Sequence, residues 1–264
     1  MLYPILIILL ALFQISLSLN VKAPVKTKYS INVCQNKNCV KQHCSKNGSA
    51  TRPLQDILND LLPPEKRDEV EVSSSGCISQ CGKGPNVEIV SKTIQQEKTL
   101  FGNREKTIEN ARLFNGIDST DMASKLLEAG IGITPPMMLV AACSVLSSAE
   151  KSSLPLEKEA LLSSIISTLS NSEEYSDSHV LGTALMYRSE VRLSIEPSGT
   201  NGALEDSRRA TVIVPTSEKA WRVRAQAEEI FGNKDLAIAS LEKLSDVNPK
   251  YKTKINNEIS RLRP

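Results

Sequence analysis

With 264 residues, 40% of them apolar, the chain can bury one or two real cores, and two domains are the expected division. Aromatic residues make up only 4%, which suits small helices packed through Ala and Leu, and the formal net charge of +2 gives no argument for nucleic acid as a partner through bulk charge. Charge is nevertheless unevenly placed: Lys22, Lys26, Lys28, Lys37, Lys41, Lys46 and Arg52 all precede Asp56, the first acidic residue.

Residues 1–20 hold an apolar run of about thirteen residues and then a small polar stretch. Such a run is short for a membrane span and resembles the core of a signal peptide, a membrane anchor being the alternative. Residues 21–28 form a short basic, acid-free segment. The mature chain is expected to carry no stable membrane span.

Lys28–Val33 is rich in β-formers and predicts a first strand that runs into Cys34. Leu54, Ile57, Leu58, Leu61 and Leu62 recur at helical spacing within 52–62, and Pro63-Pro64 ends that pattern. Glu69–Val72 alternates as a second strand and leads through serines to Cys77, and Asn86–Val90 predicts a third. The polar stretch 91–110 reads as a long hairpin loop before a last strand at Ala111–Phe114. Ser119–Glu128 predicts a closing helix with Ser119 or Thr120 as its cap. The order β-α-β-β-β-α predicts a small sheet with a helix on each face and both cysteine loops at one end.

Beyond Thr134 the pattern is wholly helical, with segments at Pro136–Ser148, Leu156–Leu169 and Ser178–Ile195. Two further stretches then align at an offset of thirty-four residues, the period of tetratricopeptide (TPR) repeats. Trp221, Ala225, Gly232, Ala237, Leu241, Leu244 and Pro249 hold that repeat's signature spacings. Tyr187, Ala203, Ser207, Ala210 and Pro215 form a looser preceding copy with its turn in 196–202. Ile255, Ile259 and Leu262 mark a capping helix, and residues 136–170 are expected to supply a degenerate first pair, because stacked helix pairs bury what a single pair cannot.

Five of the six cysteines lie between residues 34 and 81. Cys34 and Cys39 have four residues between them, Cys77 and Cys81 have three, and Gly76, Gly82 and Gly84 surround the second pair. Thiolates on two loops suit iron, and glycines let sulfide approach the backbone and its N–H donors. A C-x2-C spacing typical of structural zinc is absent, as is a thioredoxin-type dithiol. Disulfides remain an alternative, although five clustered cysteines pair badly.

These two pairs and the tail Gly82-Lys83-Gly84-Pro85-Asn86 resemble the thioredoxin-like 2Fe-2S ferredoxin family, over about residues 29–130. The family includes plant and algal plastid proteins in which such a domain precedes helical repeats. The resemblance implies a 2Fe-2S cluster held by Cys34, Cys39, Cys77 and Cys81. It also implies an α/β thioredoxin-like domain at 29–132, followed by an all-α TPR-like domain at 136–264. One departure leaves the register open: Cys39/Cys44, followed by Ser45-Lys46-Asn47-Gly48-Ser49, also fits the family's first pair. Placing Cys34 at the strand end makes residues 40–45 an insertion and Cys44 a spare thiol.

A signal-like leader followed by a basic segment resembles the two-part plastid-targeting leader of algae with secondary plastids, and plastid is the expected location, with the secretory pathway as the alternative. His43 reads as a loop residue, Lys83 as a charge beside the cluster, and Cys143 as a small apolar core residue. Arg222 and Arg224 are candidates for a peptide groove, and the adjacent pairs Glu173-Glu174 and Glu228-Glu229 read as surface charge. No catalytic constellation appears, so the chain is expected not to be an enzyme. The expected function is one-electron transfer, docked to a protein partner through the repeats. A scaffold or assembly factor with a structural cluster, or a cluster-sensing adaptor, is the alternative.

Overall fold

The computed structural model describes residues 27–40, 52–78, 83–91, 105–108, 111–195 and 201–263. The leader at 1–20, most of the basic segment, His43, Cys44, the insertion at 40–45 beyond Val40, Cys81 and most of the 196–202 turn lie outside them. The N-terminal part forms a small mixed sheet and the remainder is almost entirely helical.

Among the described residues five strands make the sheet: β1 (Tyr29–Cys34), β2 (Val70–Ser75), β3 (Asn86–Ser91), β4 (Glu105–Ile108) and β5 (Ala111–Asn115), in spatial order β2-β1-β3-β5-β4. β1 runs parallel to β2, with Cys34 opposite Ser75, and antiparallel to β3, with Val33 opposite Val87. Alternation decides the faces. Ile31, Val33, Val87, Ile89 and Phe114 share one face and are buried at 3% exposure or less. Behind β1 the other face is polar, where Asn32 donates to Glu88 and accepts from Ser73.

β4 corrects the expected loop at 91–110. Its sequence, Glu-Lys-Thr-Ile, carries no apolar alternation, and as an edge strand it needs only the backbone of β5 to hold it.

The helices correct a second expectation. Helix α1 (Leu54–Leu61) and helix α2 (Thr120–Ile131) pack against each other and lie on the same apolar face, not one on each. Gly130 of α2 packs directly on Ile89 and Phe114: an added Cβ would meet the Ile89 Cδ1 and lie 3.8 Å from the Phe114 ring. The Asn32–Glu88–Ser73 surface behind β1 is polar, and on that face the buried apolar residues Leu113 and Ala111 lie on β5. Ser119 caps α2, its Oγ accepting from Met122 N at 3.2 Å, and Gly132 ends it in the left-handed region at φ 69°.

The helical part comprises α3 (Met137–Lys151), α4 (Pro155–Ser170), α5 (His179–Ile195), α6 (Asn201–Ile213), α7 (Glu218–Ile230), α8 (Lys234–Val247) and α9 (Lys252–Leu262). Successive helices pack pairwise, and α3, α5 and α7 also touch in series, which makes an open array of helical hairpins. Ala203, Ala210, Ala220 and Ala237 are fully buried where helices approach, and Ile255, Ile259 and Leu262 of α9 close the end. Among the described residues no helix is long and apolar enough to cross a membrane.

One hydrophobic cluster runs from Ile31 through α1, α2 and α3 to Ala227, straight across residues 133–135. At the seam, Asp60 is fully buried and ion-paired to Arg52, itself 2% exposed. Asp60 Oδ1 also accepts from His179 Nδ1 at 2.5 Å and from Thr183 Oγ1 at 2.9 Å, both on α5. Burial alone would push the Asp60 carboxyl up. Arg52, His179 and Thr183 outweigh that effect and hold it below its ordinary value. Arg67 Nη1 adds a bond to the carbonyl of Asp177 at 2.9 Å.

Candidate metal centre

Strand direction gathers the cysteine segments. Because β1 and β2 are parallel, both end at one edge of the sheet, and antiparallel β3 begins there. Cys34 is the last residue of β1, Cys77 follows β2 by two residues, and Gly84-Pro85 leads into β3. Gln35 N donates to Ser75 O at 3.0 Å and ties the first two segments together.

Local chemistry places Cys39. Asn36 Oδ1 accepts from Asn38 N at 3.1 Å and its carbonyl accepts from Val40 N at 3.0 Å, so Asn36 starts the helical turn 37–40. That turn directs Cys39 inward, where it is 1% exposed. Asn86 Nδ2 lies 3.5 Å from Cys39 Sγ as donor. A Cβ at Gly84 would sit 2.8 Å from the same sulfur, closer than real Cβ contacts come. Pro85 is pinned in turn, its carbonyl accepting from Ile117 N at 3.1 Å.

Cys34 and Cys39 are therefore buried, whereas Cys77 is exposed at the same edge. Among the described residues no group of three or more His, Cys, Asp or Glu side chains is drawn together as a metal site, and Cys81 and Cys44 lie outside those residues. Cys143 is fully buried in α3, beside Arg52 and Asp60, and burial pushes its thiol up, as suits an inert core residue.

A cleft of about 840 Å³ opens beside the cysteine edge. Gln35 and Ser74 form its end at the sheet, α1 gives one wall through Asp56, and α5 and α7 give the other through Met186 and Arg222. Arg222 is thus in the groove, paired with Glu258 at 3.4 Å. Arg224 instead lies over the Trp221 ring at 5.5 Å and donates to Thr211 Oγ1 at 2.9 Å. Trp221 packs against the C-terminal core and donates from its indole to Pro215 O at 2.7 Å, which makes it a packing residue.

Glu228 corrects the surface-charge reading of the pair Glu228-Glu229. It is fully buried, takes two bonds from Arg208 at 2.8 and 2.9 Å and a third from Asn233 at 2.9 Å. Burial opposes its charge, but these donors hold its carboxyl below the ordinary value. The seam of Arg52, Asp60 and His179 escaped the sequence reading. Its only signal was Asp60 itself, a carboxylate on the apolar face of α1, three residues after Ile57.

Compared with known proteins, the chain matches no family model and no curated sequence.

Proposed function

We propose that the chain is a thioredoxin-like 2Fe-2S ferredoxin module joined to a TPR-like helical array, and that it carries single electrons to or from a protein held by that array. Cys34, Cys39, Cys77 and Cys81 would hold the cluster. The observation that carries the reading is the approach of Gly84 to Cys39, with Cys34 and Cys77 on the neighbouring strand ends. Gly130 and Gly182 make equally close approaches in plain packing, so it is the combination of a glycine against a cysteine sulfur with two further cysteines at the same edge that fits a ligand thiolate whose cofactor lies beside the backbone.

The donor set fits soft iron chemistry. Asn86 directs an N–H at Cys39 Sγ, which favours charge on that sulfur. Cys34 and Cys39 form a wall closed to water, and Cys77 marks the side open to a partner. When bound, a 2Fe-2S cluster supplies a one-electron couple. Lys83, exposed next to Gly84, adds positive charge that favours the reduced state.

The TPR-like reading of the helical part rests on the thirty-four-residue offset in the sequence and on the serial touching of α3, α5 and α7. The array then raises the partner's effective concentration at the cysteine edge. Plastid location follows from the leader's resemblance and from the need for a compartment that assembles clusters.

The test is anaerobic purification followed by visible spectroscopy, iron and acid-labile sulfide analysis, and dithionite titration. A coloured protein with two irons and two sulfides per chain that bleaches reversibly supports the reading. A colourless, fully folded protein sinks it and leaves a scaffold.

A further inference from the structure

We infer that the cleft between α1, α5 and α7 binds a basic, extended segment of a partner protein, with Asp56 as the carboxylate that anchors it. The inference deepens the electron-transfer reading, since the bound segment would belong to the redox partner, but the cleft's own chemistry does not depend on a cluster.

Size and position come first. At about 840 Å³ the cleft falls within the range of well-formed ligand sites. Gln35, the residue after Cys34, closes one end, so whatever occupies the cleft lies beside the cysteine edge.

Charge then selects the occupant. The cations in the walls are already committed: Lys219 to Glu190 at 2.8 Å and Arg222 to Glu258 at 3.4 Å. His179 is turned to Asp60. Among the described residues Glu218 accepts a side-chain bond only from the neutral Asn248 amide, at 2.7 Å. Asp56 has no side-chain hydrogen bond or ion pair among the described residues, although it is half-buried and lines the cleft. The charge left without a direct partner is negative, and a Lys or Arg side chain is its complement. Polar side chains such as Gln226 add hydrogen-bonding groups of the kind that hold a peptide backbone.

Asp56 also behaves unlike a structural carboxylate. Burial, followed by the charge of Asp60, holds its carboxyl above the ordinary value against the opposing charges of His179, Arg52 and Lys219, so the folded chain bears a cost for keeping it ionised. Neutralising a structural carboxylate weakens a protein. Neutralising one retained for a ligand relieves that cost while weakening binding.

The experiment measures fluorescence anisotropy of labelled eight-residue peptides against the full chain, with Lys, Glu or Ser alternating with Ala. The basic peptide is expected to bind at least about tenfold tighter than the other two. Asp56→Asn and, separately, Gln226→Lys on the exposed face of α7 each weaken it by about tenfold, and Asp56→Asn raises the urea midpoint. Equal affinity for the three peptides, or basic-peptide affinity untouched by both substitutions, overturns the inference. Binding that appears only after removal of residues 1–26 assigns the cleft to the chain's own basic segment and overturns the partner. Iron is assayed on the same samples. Iron-free protein that still binds the basic peptide sinks the electron-carrier reading alone, and iron-replete protein blind to it sinks this inference alone.

Discussion

Gly84 lies against Cys39 with no room for a side chain: a Cβ there would stand 2.8 Å from Sγ and 3.0 Å from Cα. The second contact is with backbone, which cannot swing aside as a flexible side chain can. Nor is Gly84 among the described glycines that hold positive φ, so its requirement is for space. Gly84→Ala is therefore expected to destabilise the fold by about 1–3 kcal/mol, as overpacking does. Urea denaturation reads that loss, and the iron content of the same preparation should fall with it. An unchanged urea midpoint would mean that the 83–85 segment yields freely.

The ligand register is decided by three serine substitutions. Cys34→Ser and Cys77→Ser are each expected to abolish iron and labile sulfide, and Cys44→Ser to leave both in place. Loss on Cys44→Ser with retention on Cys34→Ser would move the first pair to Cys39/Cys44. Cys143→Ser serves as the control, since that thiol sits buried in the α3 core among apolar neighbours.

How much of this was legible in the sequence depended on the range of the interaction. Alternation at Val87 and Ile89, helical spacing at Leu54, Ile57, Leu58 and Leu61, and the cap at Ser119 are local signals, and each marked an element that the structure contains. The strand Glu105–Ile108 left no trace because an edge strand needs backbone partners, not a particular side-chain pattern. Glu228 looked like surface charge because its partner Arg208 is twenty residues away, on another helix. His179 meets Asp60 across 119 residues. Local periodicity carries no information on such pairs, so the seam and the cleft beside it emerge only from the fold.

The seam predicts a two-part response to acid. Asp60 is held below its ordinary 3.8, so its ionised form contributes stability that is fully present above about pH 4 and is lost as pH falls through the folded value. Asp56 and Glu150 are held above their ordinary 3.8 and 4.5, chiefly by burial, so protonating them relieves a cost. Stability should therefore rise slightly as pH drops from neutral through those raised values, then fall steeply below about pH 4 as Asp60 protonates. Asp60→Asn leaves the buried Arg52 without its main counter-charge and is expected to cost about 3–5 kcal/mol at pH 7. Denaturant titrations at a series of pH values check both points. A monotonic decline from pH 7, or a mild effect of Asp60→Asn, would show that the seam is hydrated.

Gly182 tests how closely the helical array is packed. In the interior of a helix, Gly→Ala ordinarily gains up to about 1 kcal/mol. Here the added Cβ would meet Val214 Cγ1 at 2.8 Å and Ile213 Cγ2 at 2.9 Å, where the end of α6 crosses α5. Both neighbours are β-branched and stiff at χ1, so neither can rotate away cheaply. Overpacking of about 1–3 kcal/mol should exceed the propensity gain, leaving a net loss. A thermal melt should then show a lower midpoint, by roughly 2–4 °C for each kcal/mol in a chain of this size. Because Gly182 precedes Thr183, whose hydroxyl bonds Asp60, displacement of α5 also strains the seam. Combined with Asp60→Asn, the Gly182→Ala effect should therefore be smaller than alone, since the seam is already broken. Strict additivity would place the two in independent parts of the fold.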